Sequence, residues 1–167
     1  MKIGYSLSNN QGMEDIQGVI DLAVGAEELG FDSVWASEHV FNVSYVYDRI
    51  GDKPYYEPLT VLTYVAAKTT TIGLGTSVLV LPYHNPIRLA KEVATLDQIS
   101  GGRFLFGVGA GWLRGESEIL GVDFPHRWKQ TREYVNVMKE LWTTDITEFH
   151  GEYIDFPPLV CSPKPVQ

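Results

Sequence analysis

The sequence has a single cysteine, Cys161, in 167 residues. That excludes a disulfide within the chain and fits a reducing compartment. Cys161 has no neighbours at metal-ligand spacing and reads as an inert thiol, since reactive thiols need an electropositive setting. Basic residues are also scarce: 13 Lys and Arg stand against 21 Asp and Glu, a formal net charge of −8. Such a chain lacks the basic patch that nucleic acid or an anionic membrane requires. No apolar run approaches the ~18 residues of a membrane span. The opening Met1-Lys2-Ile3-Gly4-Tyr5-Ser6 is too short and polar for a signal peptide. A cytoplasmic chain with no nucleic-acid or membrane partner is expected. No two histidines have the spacing of a zinc site, so no metal is expected. A Ser/His/Asp signature and a G-x-S-x-G elbow are missing as well.

What the chain does have is alternation. Ile3 to Leu7 reads as a strand. Asp15 to Leu29 reads as a helix, because Ile16, Val19, Ile20, Ala23 and Ala26 recur at three- and four-residue steps, with Gly30 placed as its C-cap. Ser33 to Ala36 is a second strand. A long connection, Phe41 to Glu57, carries Tyr45, Tyr47, Tyr55 and Tyr56, which either line a pocket or pack on one another. Pro58 opens a helix with Leu59, Leu62, Val65 and Ala66 on one stripe. Thr71 to Leu81 is a β-branched third strand, and Asn85-Pro86 opens a helix through Ile99 that Gly101-Gly102 ends. Arg103 to Gly109 is a fourth strand. Beyond it come a helical turn near Glu116 to Leu120 and a helix from Arg127 to Trp142 with Val135, Met138 and Leu141 on one side. A hairpin centred on Gly151 (Glu148 to Ile154) and a proline-rich tail from Phe156 complete the chain. The order βαβαβαβα places residues 1–167 in one α/β domain of parallel strands with crossover helices. An open doubly wound sheet and a closed (β/α)8 TIM barrel both start this way, and a full barrel needs about 250 residues.

Two segments carry chemistry. In Gly107-Val108-Gly109-Ala110-Gly111-Trp112 three glycines alternate, and on a strand alternate residues share a face. A face without side chains admits a flat ring or a phosphate; the competing explanation is a strand end loosened by turn glycines. A dinucleotide fingerprint is ruled out, because the sixth position of G-x-G-x-x-G is Trp112 counted from Gly107 and Arg114 counted from Gly109. Glu38-His39 directly follows the second strand, where barrels build their active sites. His39 suits proton transfer or a hydrogen bond to a ring nitrogen, and equally suits a structural histidine tied to a loop carbonyl. His84, His126 and His150 read as structural or exposed.

Together these residues resemble a known family. Leu81-Pro82-Tyr83-His84-Asn85-Pro86, Leu89-Ala90-Lys91-Glu92, Ala94-Thr95-Leu96-Asp97, Ser100-Gly101-Gly102-Arg103 and the Gly107 to Trp112 segment are similar to the luciferase-like monooxygenases, and most to their branch dependent on the deazaflavin coenzyme F420. The resemblance implies the N-terminal half, about four βα units, of a (β/α)8 barrel with the cofactor's tricyclic ring at the C-terminal mouth. It implies His39 near ring and substrate as the catalytic group. It implies a bulge with a non-prolyl cis peptide at Thr76-Ser77-Val78 behind the ring, and Gly107, Gly109 and Gly111 beside it, with Glu38 also on the cofactor side. The implied chemistry is hydride transfer between F420 and a small organic substrate, or, as an alternative, FMN-dependent oxygenation with O2. Trp112 departs from some sugar-phosphate dehydrogenase relatives, which carry a glutamate there.

Four strands are expected near 2–7, 33–36, 72–80 and 103–109, in neighbour order 1-2-3-4 with right-handed crossovers; an order 2-1-3-4 would mean an open sheet instead. Four strands without the remaining units leave two edges and an inner face uncovered. A homo-oligomer is therefore expected, and a truncated, non-catalytic half-barrel acting as an assembly module is the alternative of another class.

Overall fold

The computed structural model describes all residues 1–167. In chain order the strands are β1 (Gly4–Ser6), β2 (Ser33–Ala36), β3 (Gly73–Thr76), β4 (Leu79–Val80), β5 (Phe104–Leu105), β6 (Val108–Gly109), β7 (Thr147–His150) and β8 (Asp155–Leu159). The helices are α1 (Ile16–Glu28), α2 (Tyr45–Ile50), α3 (Pro58–Lys68), α4 (Pro86–Ser100), α5 (Arg114–Ile119) and α6 (Arg127–Thr143). The chain groups into two compact units, Met1–Leu79 with Ile99–Val108, and Val80–Gln98 with Gly109–Gln167. No helix is long and apolar enough to cross a membrane.

The first unit holds a four-stranded parallel sheet in the order β1-β2-β3-β5. Each strand neighbours the one before it, which is the barrel-type order and not the doubly wound one. Val34, Ala36, Leu74 and Phe104 point to the helical layer and are buried. Helix α1 packs on β2 and α3 on β3, and these helices bury Val19, Ile20, Ala23, Val61, Leu62 and Val65. Helix α1 is capped by the Asp15 side chain, which accepts from Gln17 N at 2.9 Å. It ends in a Schellman motif: Gly30, at φ +80°, donates to Glu27 O, and Phe31 N donates to Ala26 O. Helix α3 starts at Pro58, with the Glu57 carboxylate accepting from Leu59 N and Thr60 N.

The other face of this sheet is built around one side chain. Register puts Trp35 beside Ser6 and Gly75. Its indole covers two glycines: a Cβ on Gly75 would lie 2.2 Å from Trp35 Cε3, and one on Gly4 would lie 2.4 Å from Nε1. The indole N–H donates to Ser33 Oγ at 2.8 Å. At the N-terminal end of the strands Arg103 places all five donors, on Ser100 O, Thr69 Oγ1, Thr69 O, Ile72 O and Ala66 O. There too the Glu27 carboxylate accepts from the consecutive amides of Thr70, Thr71 and Ile72 and from the Thr71 hydroxyl. Burial opposes its ionisation, but those donors outweigh it and hold the pKa at about 2.

In the second unit Asn85 Oδ1 caps α4 by accepting from Ile87 N and Arg88 N. Helix α6 buries Tyr134, Val137, Met138 and Leu141, whereas Val135 is only half-buried. Trp142 Nε1 joins α6 to α4 through Ala90 O at 3.0 Å. Strands β7 and β8 pair antiparallel, and Glu133 accepts from the amides of Glu152, Tyr153 and Ile154 at their turn.

Four expectations need correction. The third strand, read as continuous over 72–80, is broken: Ser77 and Val78 separate β3 from β4. The fourth, read over 103–109, likewise splits into β5 and β6. The Phe41 to Glu57 connection contains α2, whose buried Val46 and Ile50 make one helical turn of core. The hairpin expected over Glu148 to Ile154 extends into the proline-rich tail, because Asp155–Leu159 is β8.

Candidate functional site

Parallel strands carry their loops to one end, and the first unit gathers its candidate residues there. Ser37-Glu38-His39 leaves β2 directly after Ala36. Next to it, Ser77 N donates to Ala36 O at 2.7 Å, so the end of β3 lies against the end of β2. Glu38 is buried, and His39 is half-buried. The His39 ring meets the Tyr55 ring edge-on, with centroids 5.6 Å apart and planes at 81°.

The chain breaks ladder at Ser77–Val78, and this peptide is cis, at the position the resemblance implied. Thr76 and Leu79 on either side are fully buried, while Ser77 is exposed and Val78 is 42% exposed. The result is a small ledge of backbone and one apolar side chain, facing solvent at the strand end. Thr76 does not contribute a free hydroxyl to it: its Oγ1 donates to Gly107 O at 2.8 Å and accepts from Gly107 N at 3.0 Å. Leu79 N also donates to Gly107 O, at 2.9 Å.

Gly107 has a local reason to be glycine. A Cβ there would fall 2.1 Å from Thr76 O, so it is protein backbone that fills the space. Gly111, in the second unit, has φ +78°, and a Cβ on it would meet Val80 Cγ1 at 2.7 Å. Gly109 is half-buried in β6, and Trp112 is 60% exposed. Near the Gly111 turn Glu116 is fully buried and accepts from Tyr83 Oη at 3.1 Å. Arg127 Nε donates to Gly111 O at 2.8 Å. Thus Glu38, His39, Thr76, Ser77, Val78 and Gly107 share one strand end of the first unit, whereas Gly109 and Gly111 belong to the second.

The histidines set aside in the sequence sit elsewhere. His126 and His150 are exposed and contact Asp123 and Asp155 at 2.7 and 2.6 Å. The hydrogen bond that the His150 ring donates to the Asp155 carboxylate raises its pKa from the ordinary value. No group of three or more His, Cys, Asp or Glu side chains converges on a metal-sized site. The sequence reading missed Asn9 and Ser37. Asn9 has no exposed surface, and its amide joins the segment after β1 to the segment after β2. No signal in one sequence marks such a residue, since a lone asparagine in a loop is ordinary turn chemistry. Tyr55 was visible only as one of four tyrosines.

The ledge is suited to a planar ring. Val78 and Ser77 are both exposed there, with His39 on the neighbouring strand end. Comparison with known proteins gives the family of the chain. The family model described as luciferase-like monooxygenase matches residues 1–167. The chain is 35% identical over 160 residues to an F420-dependent glucose-6-phosphate dehydrogenase of Amycolatopsis mediterranei (strain U-32), covering 93% of this chain and 46% of that protein. Among solved structures it is similar to an F420-dependent secondary alcohol dehydrogenase in complex with an F420-acetone adduct, with TM-score 0.83, 26% identity, and 99% and 49% of the two chains covered. It is also similar to the FMN-bound oxygenating constituent of 3,6-diketocamphane monooxygenase from Pseudomonas putida, with TM-score 0.77, 25% identity, and 93% and 43% covered. The chain spans about half the length of the curated relatives it matches.

Proposed function

Because the chain belongs to the luciferase-like monooxygenase family, we propose that it carries the ring-facing wall of an F420-dependent oxidoreductase site acting on a small organic substrate. The carrying observation is the pairing of half-buried His39 with the exposed Ser77–Val78 ledge on adjacent strand ends. When bound, the deazaflavin supplies hydride transfer at its C5. The chain's own part is positional. Ser77 and Val78 would support the ring's face, and Thr76 fixes that ledge to Gly107. His39 exchanges a proton with the substrate oxygen, a task suited to an imidazole because its ordinary titration range lies near neutrality. Glu38, buried next to His39, belongs to the cofactor side of the same segment. Trp112 in place of a glutamate favours a substrate other than a sugar phosphate.

A second reading keeps the same wall and replaces F420 by FMN with O2; the similarity to the FMN-bound monooxygenase constituent favours it. Titrating the full-length protein with each cofactor, followed by its own absorption, separates the two. F420 is expected to bind more tightly, and tighter binding of FMN would select the second reading. His39→Ala should lower turnover by roughly 10²–10⁴-fold, the usual contribution of a general acid or base, with little change in urea midpoint. Unchanged turnover would remove His39 from the mechanism. A cytoplasmic homo-oligomer is proposed as well, on the ground that the backbone of edge strand β1 is exposed at Gly4 and Ser6. Light scattering giving a monodisperse monomer would overturn the oligomer.

A further inference from the structure

We propose that Tyr55 is a positioning residue: held by Ser37, its ring sets the plane of the His39 imidazole. The proposal rests on the reading of His39 as the group that moves a proton, but a separate set of contacts carries it. Tyr55 lies between α2 and α3, outside the sheet, yet its ring meets His39 edge-on at 5.6 Å and 81°. Edge-to-face contact at this separation is attractive and directional, so it favours one imidazole orientation over rotation about χ2.

The tyrosine is itself fixed. Its hydroxyl shares a 2.8 Å hydrogen bond with Ser37 Oγ, and Ser37 Oγ accepts from Asn10 Nδ2 at 2.7 Å. Buried Asn9 then ties the backbones together. Its Nδ2 donates to Ser37 O and to Tyr56 O, both at 2.8 Å, and its Oδ1 accepts from Ser37 N at 3.3 Å. Tyr56 N returns a bond to Asn9 O at 2.9 Å. Three separate connections, after β1, after β2 and before α3, are therefore joined two residues ahead of His39 and one residue beyond Tyr55. A tyrosine kept only for its apolar ring is free to turn its hydroxyl to water. Here the hydroxyl is bonded to the residue that starts the His39 segment.

The test has two arms. The first needs neither cofactor nor substrate: the His39 ring resonances are followed by NMR in the parent, Tyr55→Phe, Tyr55→Leu and Ser37→Ala. Tyr55→Leu should abolish the ring-current displacement of the His39 ring protons. Tyr55→Phe and Ser37→Ala, which each remove the bond between the two hydroxyls and leave the aromatic ring in place, should weaken it without abolishing it. The second arm reads turnover in the full-length protein. Tyr55→Leu should lower kcat by about tenfold, as a small misplacement of a reacting group does, with KM within about twofold, and Tyr55→Phe should recover part of the loss. In a His39→Ala background the Tyr55→Leu effect should vanish. His39 resonances unmoved by Tyr55→Leu, or an undiminished kcat loss in the His39→Ala background, would overturn the proposal. If His39→Ala alone leaves turnover unchanged, the proton-transfer reading fails, and the resonances still decide whether Tyr55 orients the ring. Should Tyr55→Leu not fold, Ser37→Ala decides by the same displacement, because it removes only one hydroxyl.

Discussion

Gly107→Ala tests whether the glycines of the fourth strand answer to the protein or to a ligand. The added Cβ would lie 2.1 Å from Thr76 O and 3.3 Å from Thr76 C. Neither atom retreats freely, since Thr76 is fully buried and the next amide, Ser77 N, is bonded to Ala36 O at 2.7 Å. If the two segments separate, the bonds between Thr76 Oγ1 and the Gly107 N–H and carbonyl are lost, at about 0.5–1.5 kcal/mol each. If they stay together, overpacking costs about 1–3 kcal/mol. Either route gives a destabilisation of about 2 kcal/mol, measured by urea unfolding with the slope held fixed. Gly25→Ala is the control: it is helical, nothing lies within 4 Å of the added Cβ, and it should stabilise by about 0.5–1 kcal/mol. A Gly107→Ala variant as stable as the parent would refute the steric argument. If that variant had also lost cofactor binding, ligand approach would be the reason for the glycine.

Glu27→Gln should destabilise the protein at pH 7, with the gap to the parent closing as pH falls from about 4.5 towards about 2. The sign follows from a depressed carboxylate: its stabilisation is present above the unfolded pKa and is lost as pH falls through the folded one. A pH-independent gap over that range would contradict this. Arg103→Lys should cost about 2–3 kcal/mol in urea unfolding, because an ammonium with three donors cannot serve four carbonyls and a hydroxyl held by a planar fork; a loss below about 0.5 kcal/mol would count against it. Glu133→Ala should speed hydrogen exchange at the Tyr153 and Ile154 amides well before global stability changes. Protection that stays at the parent's level would show that the carboxylate does not hold this turn.

Periodicity located the helices well, because α1, α3, α4 and α6 each bury a regular apolar stripe. The second strand was legible to the residue, since Ser33-Val34-Trp35-Ala36 is flanked by polar residues on both sides. What was not legible depended on contacts distant in sequence. Ser77-Val78 looks like strand, and only the Thr76–Gly107 bonds explain why the ladder stops there. The strand in the proline-rich tail was not read, and there Pro157 and Pro158 lie in the irregular stretch between the Phe149–Phe156 and Thr147–Leu159 pairs, where the ladder asks for fewer donors. Helix α2 was hidden because one turn offers only Val46 and Ile50 as a pattern. At the site, His39 was placed by its position after a strand and the ledge by family resemblance. Asn9 and Ser37 act through backbone geometry that no spacing rule encodes.

The indole of Trp35, lying over Gly4 and Gly75, imposes an order on descent. A mutation that gives residue 75 a side chain while residue 35 is still tryptophan leads through an overpacked intermediate. The same pair of changes taken the other way, Trp35→Leu before Gly75→Ala, first uncovers the Gly75 backbone, which the second step partly covers again. The two routes reach one genotype over barriers of different height, so the three positions evolve as a unit with strong sign epistasis. A library randomised at 4, 35 and 75 and selected for folding should return large residues at 35 almost only with glycine at the other two.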